Sequence, residues 1–181
     1  TATPVLDWQF AWIGCGDGMI RVLDTSAGGH QVLRLRAGAG SVRVLGAGRV
    51  QDEGAEGDYV CFWATDRGES GAASWRGPGD PGDSRILFRS ADTRAGVTPA
   101  GVLAVPGGAG GPARIMFAWS DGRIEWRALD GAMLPGWPAA LGAAPAGSPI
   151  VCDADADGLL ETVVADQLGR KRVLSELYGC T

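Results

Sequence analysis

The chain has 181 residues, 45% of them hydrophobic, and a net charge of −5. That is enough for one domain with a core or for a few small repeats, and too apolar for a disordered polymer. The acidic balance, with no basic stripe, argues against nucleic acid as a partner. No apolar run approaches the ~20 residues that cross a bilayer, so the chain reads as not membrane-spanning.

In chain order, Thr3-Pro-Val-Leu-Asp7 reads as a first strand, and Trp12 to Leu23 as a hairpin turning at Gly18. A second apolar run, Gly48-Arg-Val50, precedes a Gly- and acid-rich loop, and Phe62 to Gly68 leads into the next turn. The stretch 71–99 reads as an irregular insertion. Within it Arg76-Gly-Pro-Gly-Asp-Pro-Gly-Asp83 must be loop, because Pro and Gly so dense cannot sustain a ladder. Ile86-Leu-Phe88 reads as a short strand within that insertion. Gly101 to Val105 and Phe117 to Trp126 repeat the pattern about Gly122, and Ser148 to Cys152 and Val163 to Leu174 repeat it about Gly169.

The turn glycines Gly18, Gly68, Gly122 and Gly169 are spaced by 50, 54 and 47 residues. Asp-Gly or a close variant between alternating apolar runs is a strong hairpin signal, because glycine tolerates the positive φ of primed turns. Eight residues before three of these glycines stand Val60, Arg114 and Glu161, and eleven before them stand Gly57, Gly111 and Gly158. Each unit therefore reads as strand, loop, strand, tight turn, strand, with room for a fourth strand. Such a period describes a propeller blade, with a β-sandwich as the alternative. The expectation is an all-β, propeller-like array of about four blades in one domain, with units at 3–47, 48–100, 101–147 and 148–181. The last unit ends after its third strand, so the array is expected to be incomplete or completed by another chain.

The fourth unit carries the chemistry. Asp153, Asp155 and Asp157 alternate, Gly158 permits a sharp turn, and Glu161 closes the run. Four carboxylates so close repel one another unless a hard cation neutralises them, and Ca²⁺ takes 6–8 oxygen ligands. An EF-hand would want its bidentate Glu where Val164 stands, in a strand pattern. The β-loop reading is preferred, with a solvated acidic turn as the bland alternative. Together with Gly136-Trp-Pro138 upstream, this segment resembles the FG-GAP/VCBS-type propeller repeats related to the integrin α-chain head. The resemblance implies the backbone carbonyl of Leu159 as a further ligand. The second unit has Asp52, Gly54, Glu56 and Val60 at these positions, and the third Pro106, Gly108, Gly110 and Arg114. One structural Ca²⁺ is therefore expected.

Cys15, Cys61, Cys152 and Cys180 are far apart, with no metal-type spacing. They fit one or two disulfides, in any of three full pairings, or four buried thiols. The lone His30 has no Gly-x-Ser-x-Gly elbow and reads as a surface-turn residue. The Gly14-x-Gly16-x-Gly18 run continues into a strand, so no helix N-terminus is available to hold phosphate. Trp12, Trp63 and Trp119 read as core, while Trp75 and Trp8 are candidates for an exposed sugar platform. Together these readings imply a non-enzymatic, calcium-stabilised module for protein–protein contact or assembly outside the cytoplasm (periplasmic, cell-surface or secreted). Carbohydrate binding is the alternative.

Overall fold

The structure is a computed structural model that describes residues 2–50, 58–78, 84–91, 96–105 and 113–175. Among these there is no helix, and fifteen strands form four antiparallel sheets. The first contains β1 (Val5–Asp7), β2 (Phe10–Gly14), β3 (Met19–Asp24) and β4 (His30–Arg36). The second contains β5 (Val42–Val50), β6 (Asp58–Thr65), β7 (Glu69–Trp75) and β8 (Ser84–Ala91). The third contains β9 (Pro99–Val105), β10 (Arg114–Trp119), β11 (Arg123–Ala128) and the two-residue β12 (Ala139–Ala140). The fourth contains β13 (Ile150–Cys152), β14 (Glu161–Ala165) and β15 (Lys171–Ser175).

Every sheet is a meander in which neighbours in sequence pair in space. The reason is local. Gly18, Gly68, Gly122 and Gly169 all have φ between 75° and 85°, the left-handed region that glycine enters without a steric penalty. The four turn glycines read from the repeat thus sit at four equivalent hairpins.

The sheets stack in chain order. Period-2 alternation sends successive side chains to opposite faces. In β6, Tyr59, Cys61 and Trp63 join a core with Phe10, Trp12, Ile20 and Val22 of the first sheet. The alternate residues Val60, Phe62 and Ala64 join Ile115, Phe117 and Trp119 of the third. Met116, Ala118, Ile124 and Trp126 then pack with Val164 and, at its margin, Val151 and Leu174 of the fourth. Two buried indoles stitch the stack. Trp63 Nε1 donates to the Ala37 carbonyl at 3.1 Å, and Trp126 Nε1 donates to Thr162 Oγ1 at 3.0 Å. The leading strands also sit side by side, β1 against β5 and β5 against β9.

Some expectations need correction. The stretch 71–99 is less irregular than its composition suggests, since β7 runs to Trp75 and β8 covers all of Ser84–Ala91. Trp75 is buried at 1% exposure, not displayed, because Phe10 and Tyr59 pack on its ring with centroids 5.0 and 5.5 Å away. Strand β5 begins at Val42, ahead of residue 48, because pairing with β6 extends well before the apolar run. In the first sheet the loop is replaced by a two-residue link whose Trp8 has φ 54°. His30 is exposed at the start of β4.

Candidate metal centre

The acidic loop joins β13 to β14, the first two strands of the fourth sheet. Cys152 pairs with Glu161 across that sheet, so the loop leaves and re-enters at one point. Two left-handed residues, Ala156 at φ 63° and Gly158 at φ 88°, fold the chain between them. Gly158 has open space where a Cβ would stand, so its requirement is conformational.

The fold brings together three of the four expected carboxylates. Asp153, Asp155 and Glu161 each offer an oxygen within 4.8 Å of the others. Glu161 is buried at 6% exposure, while the two aspartates are exposed. Backbone amides preorganise the loop. Ala154 N–H donates to Glu161 Oε2 at 2.7 Å, and Gly158 N–H donates to Asp153 Oδ2 at 3.0 Å. Asp157 is not among the three: its Oδ1 accepts from the Leu159 N–H at 2.8 Å. The Leu159 side chain is exposed. Hard carboxylate oxygens converging on one point suit a hard cation such as Ca²⁺ better than a soft or nitrogen-seeking metal. The donor set fits.

The corresponding loops of the second and third sheets, with Asp52, Gly54, Glu56, Pro106, Gly108 and Gly110, lie outside the described residues. At the edge of the third, Arg114 opens β10.

Cys15, Cys61 and Cys152 are free thiols, and Cys180 lies outside the described residues. Complete burial keeps Cys61 inert, with its thiol pushed up to about 12.

Beside the loop lies a groove of about 390 Å³, lined by Leu103, Val105, Pro149, Ile150, Val151 and Leu160 together with Ala104. Among the described residues its lining side chains are all apolar. Sequence reasoning missed this groove, because it forms only where β9 and β13 come alongside each other.

No protein-family model matches the chain, and no curated protein matches it. Among solved structures it is similar to the computationally designed Ika8 protein, with a TM-score of 0.65 at 12% identity. The match covers 96% of this chain and 45% of that one. It is also similar to BBS1N, solved in complex with ARL6DN, with a TM-score of 0.61 at 13% identity over 94% of this chain and 50% of that one. The chain therefore spans about half the length of each, and at these identities the likeness is one of fold.

Proposed function

We propose that the chain is an arc of β-propeller blades of the FG-GAP/VCBS type, stabilised by one Ca²⁺ and serving as a non-catalytic module in protein–protein contact outside the cytoplasm. The observation that carries the metal is the convergence of Asp153, Asp155 and Glu161 within 4.8 Å on the link between the first two strands of a sheet. Ca²⁺ there would neutralise three like charges and tie β13 to β14. Its role would be structural, since the site sits on the link that joins β13 to β14. The blade reading is supported by the serial meander sheets, by the side-by-side leading strands, and by the likeness to Ika8 and BBS1N.

A protein partner is supported by BBS1N, whose solved form is a complex with ARL6DN. An extracytoplasmic setting suits a mostly exposed site, because extracellular modules function with dissociation constants of about 10⁻⁴–10⁻³ M. Carbohydrate binding rests on Trp8 alone, exposed at 89%, since Trp75 is in the core.

The deciding experiment is a thermal melt in millimolar CaCl₂ and again in excess chelator. A midpoint that falls on chelation, and a chelator-indifferent midpoint in Asp153→Asn, are expected. An unchanged wild-type midpoint would sink the calcium assignment.

A further inference from the structure

Each link between consecutive sheets is tied back to the hairpin that follows it, and the tie is the same at all three junctions. The Asp66 amide donates to the Ser41 carbonyl at 3.0 Å, the Ser120 amide to the Thr98 carbonyl at 2.8 Å, and the Gln167 amide to the Ala144 carbonyl at 2.9 Å. Each donor stands two residues before its turn glycine.

The bond that returns from link to hairpin differs. At the second junction the Thr98 amide donates to the neutral Ser120 hydroxyl at 2.9 Å, and at the third the Ala146 amide donates to the Ala165 carbonyl at 2.8 Å. At the first junction the acceptors are carboxylates. Ser41 N–H donates to Asp66 Oδ1 at 2.9 Å. Ala39 N–H donates to both Glu69 oxygens, at 3.0 and 2.9 Å, and Gly40 N–H donates to Glu69 Oε2 at 3.0 Å. Asp166, the carboxylate of the last hairpin, instead holds amides and the Arg170 guanidinium of its own turn.

Residues 38–41 form a short strap shaped around these two acids. Its anchors Ala37 and Val42 are buried, and the Ala37 carbonyl accepts from Trp63 Nε1. A Cβ on Gly40 would stand 2.6 Å from Asp66 Oδ1, and one on Gly38 would overlap the Glu69 carboxylate. On its other side the strap meets the hairpin that turns at Gly18. There Ala37 N–H donates to the Gly18 carbonyl at 2.9 Å, and Ser41 Oγ donates to the Gly16 carbonyl at 3.1 Å.

We propose that this strap is an acid-released latch between the first two sheets: ionised Glu69 holds Ala39 and Gly40 against the second hairpin, and protonated Glu69 lets them go. Burial alone would raise the Glu69 carboxyl, but the Ala39 and Gly40 amides and the Thr65 hydroxyl outweigh it, with Arg67 adding to them, and hold it below the usual carboxylate range. A carboxyl lowered by folding stabilises the closed form above its ordinary value, and that contribution is lost as pH falls through its folded value. The other charges around the strap are engaged elsewhere. Asp66 pairs with Arg43 of β5 at 3.3 Å, Arg89 of β8 donates to the Arg36 carbonyl, and Asp17 of the first hairpin pairs with Arg21 at 2.6 Å. Release stays local, because the core between these sheets, with Trp12, Trp63 and Trp75, holds nothing that titrates in acid.

The test follows amide exchange in the isotope-labelled 181-residue chain by NMR from neutral to acid pH, together with the carboxyl signal of Glu69. Protection of the Ala39 and Gly40 amides is expected to fall at least ~10-fold as Glu69 takes its proton, the order that a hydrogen bond to a charged acceptor carries. The Thr98 amide keeps its protection through the same step, since Ser120 does not titrate. In Glu69→Gln the two strap amides are expected to be open already at neutral pH and indifferent to acid. Protection of Ala39 and Gly40 that persists through the Glu69 titration overturns the proposal, and this wild-type measurement stands whether or not the variant folds. A folded Glu69→Gln that keeps both amides closed at neutral pH overturns it too. So does loss of protection at Thr98 in the same step, because acid would then be unfolding the chain rather than opening one junction.

Discussion

The third and fourth sheets are the same object 47 residues apart, in different surroundings. Trp126 and Val173 are equivalent; the first is fully buried and hydrogen-bonded to Thr162, the second 59% exposed. Gly122 and Gly169 make the same turn, yet a Cβ on Gly122 would stand 2.6 Å from the Ala143 carbonyl oxygen, while one on Gly169 would meet nothing. Arg123 lies over the Trp119 ring at 5.3 Å; its counterpart Arg170 pairs with Asp166 at 2.7 Å. The repeat supplies backbone, and the neighbour decides chemistry. Where the next sheet packs on it, as at Trp126 and Gly122, the position is aromatic or sterically closed; among the described residues, Val173 and Gly169 have no such neighbour.

The largest way to break the comparison is to hollow the interior member. Trp126→Ala removes a buried indole and orphans Thr162, and is expected to cost about 3–5 kcal/mol in denaturant unfolding. Val173→Ala, at the equivalent place, is expected to stay within about 0.5 kcal/mol. Equal costs would mean that Val173 is covered in solution as Trp126 is in the core.

The next effect belongs to the acidic loop. With free Ca²⁺ at about 100 times the dissociation constant, binding adds about 2.7 kcal/mol to stability. Glu161→Gln is expected to abolish that increment and the response to chelator together.

The turn glycines give a smaller contrast. Gly169→Ala should cost about 1 kcal/mol, the strain of a left-handed alanine in open space. Gly122→Ala carries the same strain plus a clash with Ala143, and its unfolding midpoint should fall measurably further. Equal shifts would show that the link at Ala143 yields freely.

Much of this is legible in the residues because the signals are local. Positive φ at four glycines arises from turn chemistry, and alternating apolar residues place Trp12, Trp63 and Trp119 in the core. The acidic loop is readable for the same reason, although its pattern implies four converging carboxylates where the fold gathers three. Asp157 looks equivalent to Asp155 in sequence, but the left-handed turn at Ala156 and Gly158 leaves it bonding the Leu159 amide. Trp75 misleads because it borders a Pro/Gly-rich segment. Its burial depends on Phe10 and Tyr59, a tertiary fact that no window around residue 75 contains. The exposure of Val173 is invisible in sequence for a similar reason, since it depends on what lies beyond the sheet.

The smallest expected effect sharpens the comparison through pH. Burial raises the Asp166 carboxyl, but the Arg170 amide and guanidinium and the Leu168 amide outweigh it, holding the group below the usual carboxylate value. A carboxyl lowered by folding contributes stability above its unfolded value, and that contribution is lost as pH falls through its folded value. The third sheet has Trp119 in this place, whose contact with Arg123 does not titrate over that range. Asp166→Asn should therefore flatten the acid limb of the stability profile and leave neutral-pH behaviour modestly weakened, whereas Trp119→Phe should shift the whole profile without changing its shape. An acid limb unchanged in Asp166→Asn would mean that the ion pair forms equally in the unfolded chain, and that the fourth sheet's polar turn contributes nothing of its own.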